Sequence, residues 1–390
     1  MKDRLVEGIC RILAAPYPKA NPARLRDPKA IAILKPCCLG DVLMATPTLA
    51  SLRSAFPDAR IAFVVGSWSR AVISGNPKVD EVIDCGRVGA GRGYSLAEYL
   101  SLVRCLRQGK FDACFVLERS LWLTLVPYLA GIPARIGLDS EGRGFSLNVR
   151  VPCKEIKHEA ELYLDTVRAI GVVPGEPRLE YFVDEEDRAS TAALLGEKNA
   201  AGPLVVIHPG GGANPGMLLT AKRWPARRFA AVADRLAEEF GARIVLAGSN
   251  EDAEVVANVK SGMRSAYLDL HGRLTLGQLA AIVEKADLFI GNDTGPMHLA
   301  VAVSAPVVAI FGPSDARMYG PYSNTAAVVF SDVPCRPCFT RGAYPECSEH
   351  VCTERIEVDQ VWRAARDLLS RSRRTDDSAS VARNVATYAS

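Results

Sequence analysis

The chain has 390 residues, of which 48% are hydrophobic, and its 47 basic and 44 acidic residues leave a formal net charge of +3. A length of this size predicts about two domains with sizeable cores. The balanced charge argues against a nucleic-acid-binding protein, in which a basic stripe is expected. No apolar run approaches the roughly 20 residues of a membrane-spanning helix. The sequence therefore favours a cytoplasmic protein.

Residues 1–28 form an N-terminal extension that carries charges between Asp3 and Arg11, so it lacks the apolar region of a signal peptide. Leu5, Ile9 and Leu13 fall on one side of a short predicted amphipathic helix. This helix either docks on its own protein or makes a peripheral contact with the inner face of the inner membrane.

The eleven cysteines are an odd number in a chain without an export signal, which favours reduced thiols. Seven of them have apolar neighbours and are expected to pack as small core residues. These are Cys10, Cys37, Cys38, Cys85, Cys105, Cys114 and Cys153.

Residues 29–185 alternate short apolar runs with helical patterns and are predicted to form the first domain. Apolar strands separated by helices indicate a parallel sheet that is covered on both faces. The predicted strands cover 31–34, 60–65, 79–85 and 111–118, and the helices begin near residues 40, 68, 95 and 120. A segment rich in Pro, Gly and charge then places the domain boundary near residue 185.

Residues 186–356 repeat the same rhythm and are predicted to form a second domain. The predicted strands cover 203–210, 243–248, 267–270, 287–291 and 306–312. A helix over 357–370 and a polar, disordered tail over 371–390 are expected to follow. Two doubly wound, Rossmann-like α/β domains would place the carboxyl ends of both sheets around a cleft, where such sheets bind ligands.

Two motifs of the second domain are typical of an anion site. "HPGGG" follows a predicted strand, and Gly210 and Gly211 would let the backbone approach a ligand closely, although such a turn can be purely structural. Lys222 lies just before a predicted helix start, where it either binds a diphosphate or is a solvated surface charge. No G-x-G-x-x-G or G-K-[ST] signature is present here.

Two further turns of this domain lead from a strand into a helix. At "GNDTGPMHL" the N–H groups near Thr294 and Gly295 would lie at a positive helix end, while Asp293 would order the turn or bond a sugar hydroxyl. His298 would either reach the ligand or pack. Glu251 would either accept a hydrogen bond from a ribose hydroxyl or, as a first-turn carboxylate, interact favourably with the positive end of the helix dipole.

In the first domain, Gly40 and Asp41 lie at the start of the helix that follows the first strand. Asp41 is either an N-cap or a carboxylate that faces the cleft and deprotonates a hydroxyl. The sequence leaves both possibilities open.

A cysteine cluster near the end of the second domain has the spacing C-x2-C-x8-C-x4-C, formed by Cys335, Cys338, Cys347 and Cys352. Such a set can bind zinc tetrahedrally, or it can hold free or redox-labile thiols. No D-x-D occurs in the sequence, so a carboxylate pair that holds a metal on a nucleotide diphosphate is not evident.

Four motifs together resemble the ADP-heptose:lipopolysaccharide heptosyltransferase family. They are "GDVLMATPTLASLRSAFPDARIAFVVG", "IHPGGG", "KRWPARRFAAVADRL" and "DLFIGNDTGPMHLAVAVSAPVVAIFGPSD", and the resemblance covers residues of about 30–360. It implies a GT-B fold whose C-terminal helix crosses back to the first domain. It also implies an inverting, metal-independent transfer of a heptose from ADP-heptose to the lipopolysaccharide inner core, with no required cofactor.

Carried over to this sequence, the resemblance makes Asp41 the general base and Lys222 the diphosphate lysine. Asp293, Thr294 and Gly295 match the turn over the phosphates. Glu251 falls near the acidic residue that holds the nucleoside, but the local match is loose, and Asn250 or Asp252 could take its place.

Alternative functions remain open at this point. They are a GT-B transferase with a UDP- or GDP-sugar donor, a nicotinamide dehydrogenase, and a non-catalytic sugar-nucleotide-binding protein; the dehydrogenase is opposed by the missing G-x-G-x-x-G. Acceptor specificity is expected in first-domain loops, where Arg87, Arg92 and Arg143 would meet acidic sugars or phosphorylated lipid, or be ordinary surface charges.

Overall fold

The computed structural model describes residues 8, 10, 25–89, 93–195, 202–215, 217–338, 347–372 and 386–388. The chain divides into two compact units, Met1–Glu180 and Tyr181–Ser390. This division falls a few residues before the predicted boundary near 185. The apolar residues of the predicted N-terminal helix and Arg92 lie outside the described residues.

The first unit contains a six-stranded, all-parallel sheet in the order β3-β2-β1-β4-β5-β6. Its strands are β1 (Ala30–Leu34), β2 (Arg60–Val65), β3 (Glu81–Asp84), β4 (Ala113–Val116), β5 (Ala134–Asp139) and β6 (Val149–Pro152). Its helices are α1 (Leu39–Ala55), α2 (Leu96–Gln108), α3 (Leu121–Leu129) and α4 (Glu159–Arg168), with a 3₁₀ helix at Ser67–Val72.

Apolar strand sequences explain why this sheet lies inside its unit. Both β1 and β4 are buried at every position, as expected of parallel strands with helices on both faces. On one face, α2 and α3 pack their apolar sides onto β1 and β4. Helices α1 and α4 pack against each other. The first turns of the helices that follow β1, β3 and β4 therefore lie at the carboxyl edge of the sheet.

The second unit contains a seven-stranded parallel sheet in the order β11-β10-β7-β12-β13-β14-β15. Its strands are β7 (Leu204–His208), β10 (Arg243–Leu246), β11 (Tyr267–Asp269), β12 (Leu288–Asn292), β13 (Val307–Phe311), β14 (Ala326–Phe330) and β15 (Ala386–Tyr388), and a separate antiparallel pair is β8 (Ala213–Asn214) with β9 (Met217–Leu218). Its helices are α5 (Glu185–Leu195), α6 (Ala226–Phe240), α7 (Ala253–Gly262), α8 (Leu276–Glu284), α9 (Gly295–Ala302), α10 (Ala316–Tyr319), α11 (Val351–Glu354) and α12 (Val358–Ser372), with 3₁₀ helices at Thr220–Lys222 and Asn250–Asp252.

The structure confirms the predicted α/β class with two doubly wound, Rossmann-like sheets, the architecture of the GT-B fold. Strands β5 and β6 and helices α4 and α5 are not among the predicted elements, because charges, Gly or Pro interrupt their apolar positions. Strand β14, a continuous apolar run, is missed as well. Helix α12 packs on α6 and on strands of the second unit; its predicted crossing to the first domain stays a prediction. Ala386–Tyr388, in the tail expected to be disordered, pairs in parallel with β14.

Three of the seven cysteines expected to be core thiols differ from that expectation, and one of them, Cys105, is only partly buried against the first core. Cys37 and Cys38 are linked by a disulfide and are only half-buried, because they lie in the turn between β1 and α1 and not within the apolar layer. Cys85, Cys114 and Cys153 are buried as expected. Within the described residues, no helix is both long and apolar enough to cross a membrane.

Candidate active site

Three loops meet at the carboxyl edge of the second sheet, because β7, β10 and β12 are neighbours and all end there. A Cβ on Gly210 would lie 2.2 Å from the Asp252 carboxyl, and a Cβ on Gly211 would lie 2.7 Å from Thr294. Gly211 also has a φ of +87°, which favours glycine. The structure thus brings the glycine loop after β7 against both other loops, and only glycine allows that approach.

Asn292, the last residue of β12, fixes these loops in place. Its side-chain amide donates to the carbonyl oxygens of Pro209 and Gly210 at 2.8 and 3.1 Å, and its Oδ1 accepts from the Trp224 N–H at 3.0 Å. Asn292 is fully buried. A buried amide with three satisfied hydrogen bonds specifies one arrangement of the surrounding loops.

Lys222, predicted as the diphosphate cation, lies beside the carboxylate of Asp293. Its Nζ is 2.6 Å from Asp293 Oδ2 and 3.3 Å from the Asp293 carbonyl oxygen. Asp293 is nearly buried, and most of the Lys222 side chain is covered. Asp293 therefore holds the ammonium at the turn that precedes α9, which agrees with its expected role in ordering that turn.

The turn before α9 leaves donor groups near the surface. Thr294 is the N-cap residue, and both Thr294 and Gly295 are half-buried, while His298 is buried one turn further along. The helix begins at Gly295, directly after this N-cap. Because first-turn N–H groups have no partner within a helix, this end can receive an anion.

Asp252, one of the acidic candidates in the turn after β10, uses its carboxylate in hydrogen bonds within the protein. Its carboxylate accepts from the N–H groups of Gly211 and Ser249 at 2.8 and 2.9 Å and from Arg223 at 3.0 Å. Burial alone raises the pKa of Asp252, but His208 and these hydrogen bonds lower it below its ordinary value. Glu251, beside it, is exposed and stays the candidate for a ribose hydroxyl.

Sequence reasoning missed His208 and Arg336 at this edge. His208 is buried, and burial lowers its pKa, so the imidazole is neutral at pH 7. Arg336 donates to the carbonyl oxygens of Gly312 and Ser314 after β13, at 2.6 and 3.3 Å. Burial lowers the pKa of Arg336, and acidic groups that include Asp293 act in the opposite direction. Its position beside a cysteine of the C-x2-C pair concealed it, because nothing in the local sequence links it to the β12 turn.

The cysteines of the predicted zinc set lie close enough to influence the Cys352 thiol electrostatically. Burial, together with the neighbouring Cys338 and Cys335, raises the pKa of the Cys352 thiol to about 11. Among the described residues, no group of three or more His, Cys, Asp or Glu side chains is placed to hold a metal ion. Residues 339–346 of this segment lie outside the described part, so zinc binding stays a prediction.

In the first unit, Asp41 lies in the first turn of α1, at the carboxyl edge of its own sheet. The N-cap of this helix is Cys38, so the alternative that Asp41 is the N-cap is wrong. Asp41 is the third helical residue, and its side chain is 30% exposed. Gly40, predicted to contact the acceptor, is buried beside it.

A buried lysine supports the Asp41 carboxylate. The Nζ of Lys35, at the end of β1, is 3.6 Å from Asp41 Oδ2 and 2.6 Å from Glu118 Oε1, and only 5% of its side chain is exposed. The same ammonium lies 5.5 Å from the centre of the Tyr163 ring. Burial lowers the pKa of Lys35, but Asp41 and Glu118 raise it above its ordinary value, so the lysine is charged.

Two of the three arginines expected to meet an acceptor, Arg87 and Arg143, belong to the described residues. Arg143 lies after β5 and forms an ion pair with Glu141 at 2.9 Å. Arg87 follows β3 and is exposed. A contact between these arginines and an acceptor stays a prediction.

Comparison with known proteins now decides the family. The sequence profile of glycosyltransferase family 9 (heptosyltransferase) matches residues 99–348, more than half of the chain. The chain belongs to this glycosyltransferase family. It is 30% identical over 315 residues to lipopolysaccharide heptosyltransferase 2 of Escherichia coli K12, covering 77% of this chain and 87% of that protein.

Solved structures of the same family agree with the fold. A glycosyl transferase family 9 structure from Veillonella parvula superposes with a TM-score of 0.74 at 26% identity, over 90% of this chain and 100% of the other. The Escherichia coli ADP-heptose LPS heptosyltransferase II gives 0.69 at 27% identity, over 88% and 99%. The resemblance to the heptosyltransferase family and the prediction of an enzyme are therefore confirmed, and a nicotinamide dehydrogenase is excluded.

Proposed function

We propose that this glycosyltransferase transfers a heptose from ADP-heptose to the inner core of a lipopolysaccharide acceptor, with inversion at the anomeric carbon. The observation that carries the proposal is the meeting of the glycine loop, Lys222 and the Asp293–Gly295 turn at one sheet edge. It occurs in a chain that is 30% identical to a lipopolysaccharide heptosyltransferase 2.

The second domain, residues 186–356, is proposed to bind the donor. Lys222 and the N–H groups near Thr294 and Gly295 would take the diphosphate, with Gly210 and Gly211 allowing its close approach. Glu251 would accept from the ribose, and His298 would line the site from α9. Charge develops on the diphosphate as the glycosidic bond breaks, so these donors stabilise the transition state more than the ground state.

The first domain, residues 29–185, is proposed to bind the acceptor and to supply the base. Asp41 removes the proton of an acceptor hydroxyl as that oxygen forms a bond to the anomeric carbon. The bond from this carbon to the phosphate oxygen breaks on the opposite face, and ADP leaves with the electron pair. Gly40 and Arg143 would contact the acceptor.

Charge compensation at the diphosphate would come from Lys222 and the helix end, with no required metal or other cofactor. The acceptor is lipid-linked, so the enzyme would act as a peripheral protein at the inner face of the inner membrane. The N-terminal segment 1–28 is proposed to contribute to that contact, and the helix over 357–370 to cross back to the first domain.

A different nucleotide sugar is the alternative donor. The contacts described above recognise a diphosphate and do not distinguish adenine from another nucleobase. Thermal unfolding with ADP, UDP and GDP tests this point, since a ligand that binds the folded state raises Tm with its affinity. We expect ADP to stabilise the protein most. A larger rise in Tm with UDP or GDP would contradict ADP-heptose as the donor and would favour the corresponding UDP- or GDP-sugar.

Turnover then tests the transfer itself. Purified enzyme, ADP-heptose and a heptose-deficient lipopolysaccharide acceptor should give ADP and an acceptor heavier by one heptose in mass spectra, in the presence of excess EDTA. The NMR coupling at the new anomeric centre reports the stereochemistry. ADP binding without any transfer to acceptor would favour a non-catalytic sugar-nucleotide-binding protein.

A further inference from the structure

Exposed apolar side chains of the described residues are concentrated on two adjacent helices of the first unit. Eleven large apolar side chains are exposed among the described residues, and five of them belong to α2 and α3. Leu96 is 72% exposed and Trp122 is 59% exposed. These five are Leu96, Leu100, Trp122, Tyr128 and Leu129. Scattered apolar side chains are normal on a surface, but such a concentration marks an interaction site.

The two helices lie side by side and run in the same direction. Near their first turns, the Tyr99 hydroxyl donates to the Trp122 carbonyl oxygen at 2.8 Å, and the two rings meet edge to face. Near their last turns, Arg107 donates to the Leu129 carbonyl oxygen at 2.5 Å. Their inner sides pack on the sheet, so their outer sides form one continuous surface.

Spacing along each helix places these side chains on the outer side. Leu96, Leu100 and Arg104 are four residues apart and share one stripe of α2. Trp122 and Leu129 are two turns apart on α3 and share another. We call the outer sides of α2 and α3 the α2–α3 face.

The charge of the α2–α3 face is positive. Arg104 and Arg107 are exposed on α2, and Lys110 follows directly after it. The acidic residue of α2 is Glu98, which is occupied in a capping box with Ser95, and α3 contains no acidic residue.

A face with leucines, an exposed tryptophan and cations fits the interface of an anionic membrane. Apolar side chains enter the headgroup region, tryptophan and tyrosine rings favour the boundary, and arginines attract anionic lipids. We propose that the α2–α3 face binds the surface of an anionic lipid bilayer. This inference rests on the proposed function, in which the acceptor is anchored in such a bilayer.

The position of the face in the fold agrees with this role. Leu96 and Trp122 lie in the first turns of α2 and α3, at the same sheet edge as Asp41 in the first turn of α1. The loops are close there: a Cβ on Gly89 would lie 2.5 Å from Pro36, which precedes α1, and 2.9 Å from Leu123 of α3. A bilayer on this face would hold a lipid-linked acceptor near the proposed base.

Flotation of the full chain with vesicles tests the proposal. We expect binding to vesicles of phosphatidylethanolamine and phosphatidylglycerol, weak binding to phosphatidylcholine alone, and loss of binding at high salt. The variant L96E/L129E should lower the partition coefficient at least about tenfold, because charge enters the apolar face. The matched control V173E/Y267E adds the same charge at two exposed apolar positions elsewhere.

Three results would overturn the proposal. The first is failure of the native chain to float with anionic vesicles, and the second is flotation of L96E/L129E equal to that of the control. The third is a sedimentation result in which the α2–α3 face joins two copies of this chain while vesicle binding is absent. Circular dichroism of both variants verifies that they are folded.

The same proteins separate this inference from the proposed function. Stabilisation by ADP should be equal in the native chain and in both variants, since the substitutions lie in the first unit and the proposed donor site in the second. Vesicle binding without an ADP shift would overturn the donor assignment alone. An ADP shift without vesicle binding would overturn the α2–α3 face and leave the donor assignment in place.

Discussion

The ammonium of Lys222 and the carboxylate of Asp293 form a close ion pair, 2.6 Å apart, between the segment before α6 and the turn after β12. The pair joins two elements that are 71 residues apart in the chain. Asp293 therefore fixes a cation beside the N-terminus of α9. An arriving diphosphate would share this ammonium with Asp293.

Replacing Lys222 by Met should raise the Kd for ADP about tenfold to a hundredfold, the range expected for a lost charge-assisted hydrogen bond. The substitution also leaves a buried carboxylate unpaired, which costs about 3–5 kcal/mol of stability. The double variant K222M/D293N removes that second effect. Calorimetric titration of both variants should show weak ADP binding. Thermal unfolding should give the higher Tm for the double variant. Recovery of ADP affinity in K222M/D293N would show that Lys222 does not bind the diphosphate.

Asp41→Asn should lower kcat by about 10²–10⁴-fold, the contribution typical of a general base. ADP affinity should stay unchanged, because the proposed donor contacts lie in the second unit. The exposed Asp58 offers a matched control, and D58N should keep full activity. A D41N enzyme that retains kcat would show that another group accepts the proton.

Lys35→Met should lower Tm, because the buried Glu118 carboxylate loses the ammonium that lies 2.6 Å from it. In K35M/E118Q this carboxylate is replaced by a neutral amide, so Tm should recover. Thermal unfolding of the native chain and of both variants measures the effect. Equal Tm values for K35M and K35M/E118Q would show that the pair with Glu118 does not contribute to stability.

Arg336→Gln should weaken ADP binding about tenfold, because it removes a half-buried cation that is held by the carbonyl oxygens of Gly312 and Ser314 at the carboxyl edge of the second sheet. Arg317, which pairs with Asp315 after the neighbouring strand β13, is the matched control. Isothermal titration of R336Q and R317Q compares the two. Equal ADP affinity in both variants would assign Arg336 a structural role through its bonds to Gly312 and Ser314.

Stability should fall as the pH drops below the ordinary pKa of histidine, 6.5, because of His208. Burial lowers its pKa in the folded state, so the unfolded chain binds the proton more readily. The contribution is thus fully present above pH 6.5 and is lost as the pH falls toward the folded value. Chemical denaturation at pH 7.5 and 5.5 should show a smaller difference in H208Q than in the native chain; an equal difference would assign the loss to other groups.

Much of the fold could be predicted from local pattern. Strands such as Ala30–Leu34 are continuous apolar runs, and helix Ala226–Phe240 has a strong 3.6-residue period, so both are visible in a short window. Strands β5 and β6 were missed because Arg and Gly interrupt their apolar positions, and the sheet that surrounds them supplies the missing preference.

The candidate residues on the donor side were found because each motif follows a strand and precedes a helix. Their partners were not found. Lys222 with Asp293, Asp252 with Gly211, and Arg336 with Gly312 are pairs between distant segments, and no local pattern encodes them.

The sequence by itself determined the alternation of strands and helices, the family and the residue types at the strand ends, since these depend on neighbours along the chain. The tertiary structure decided which charges meet and which glycines face another loop. It also decided that Asp41 follows the N-cap, with a buried lysine beneath it. Parallel sheets bring the ends of separate strands to one edge, so distance in space there is independent of distance in the chain.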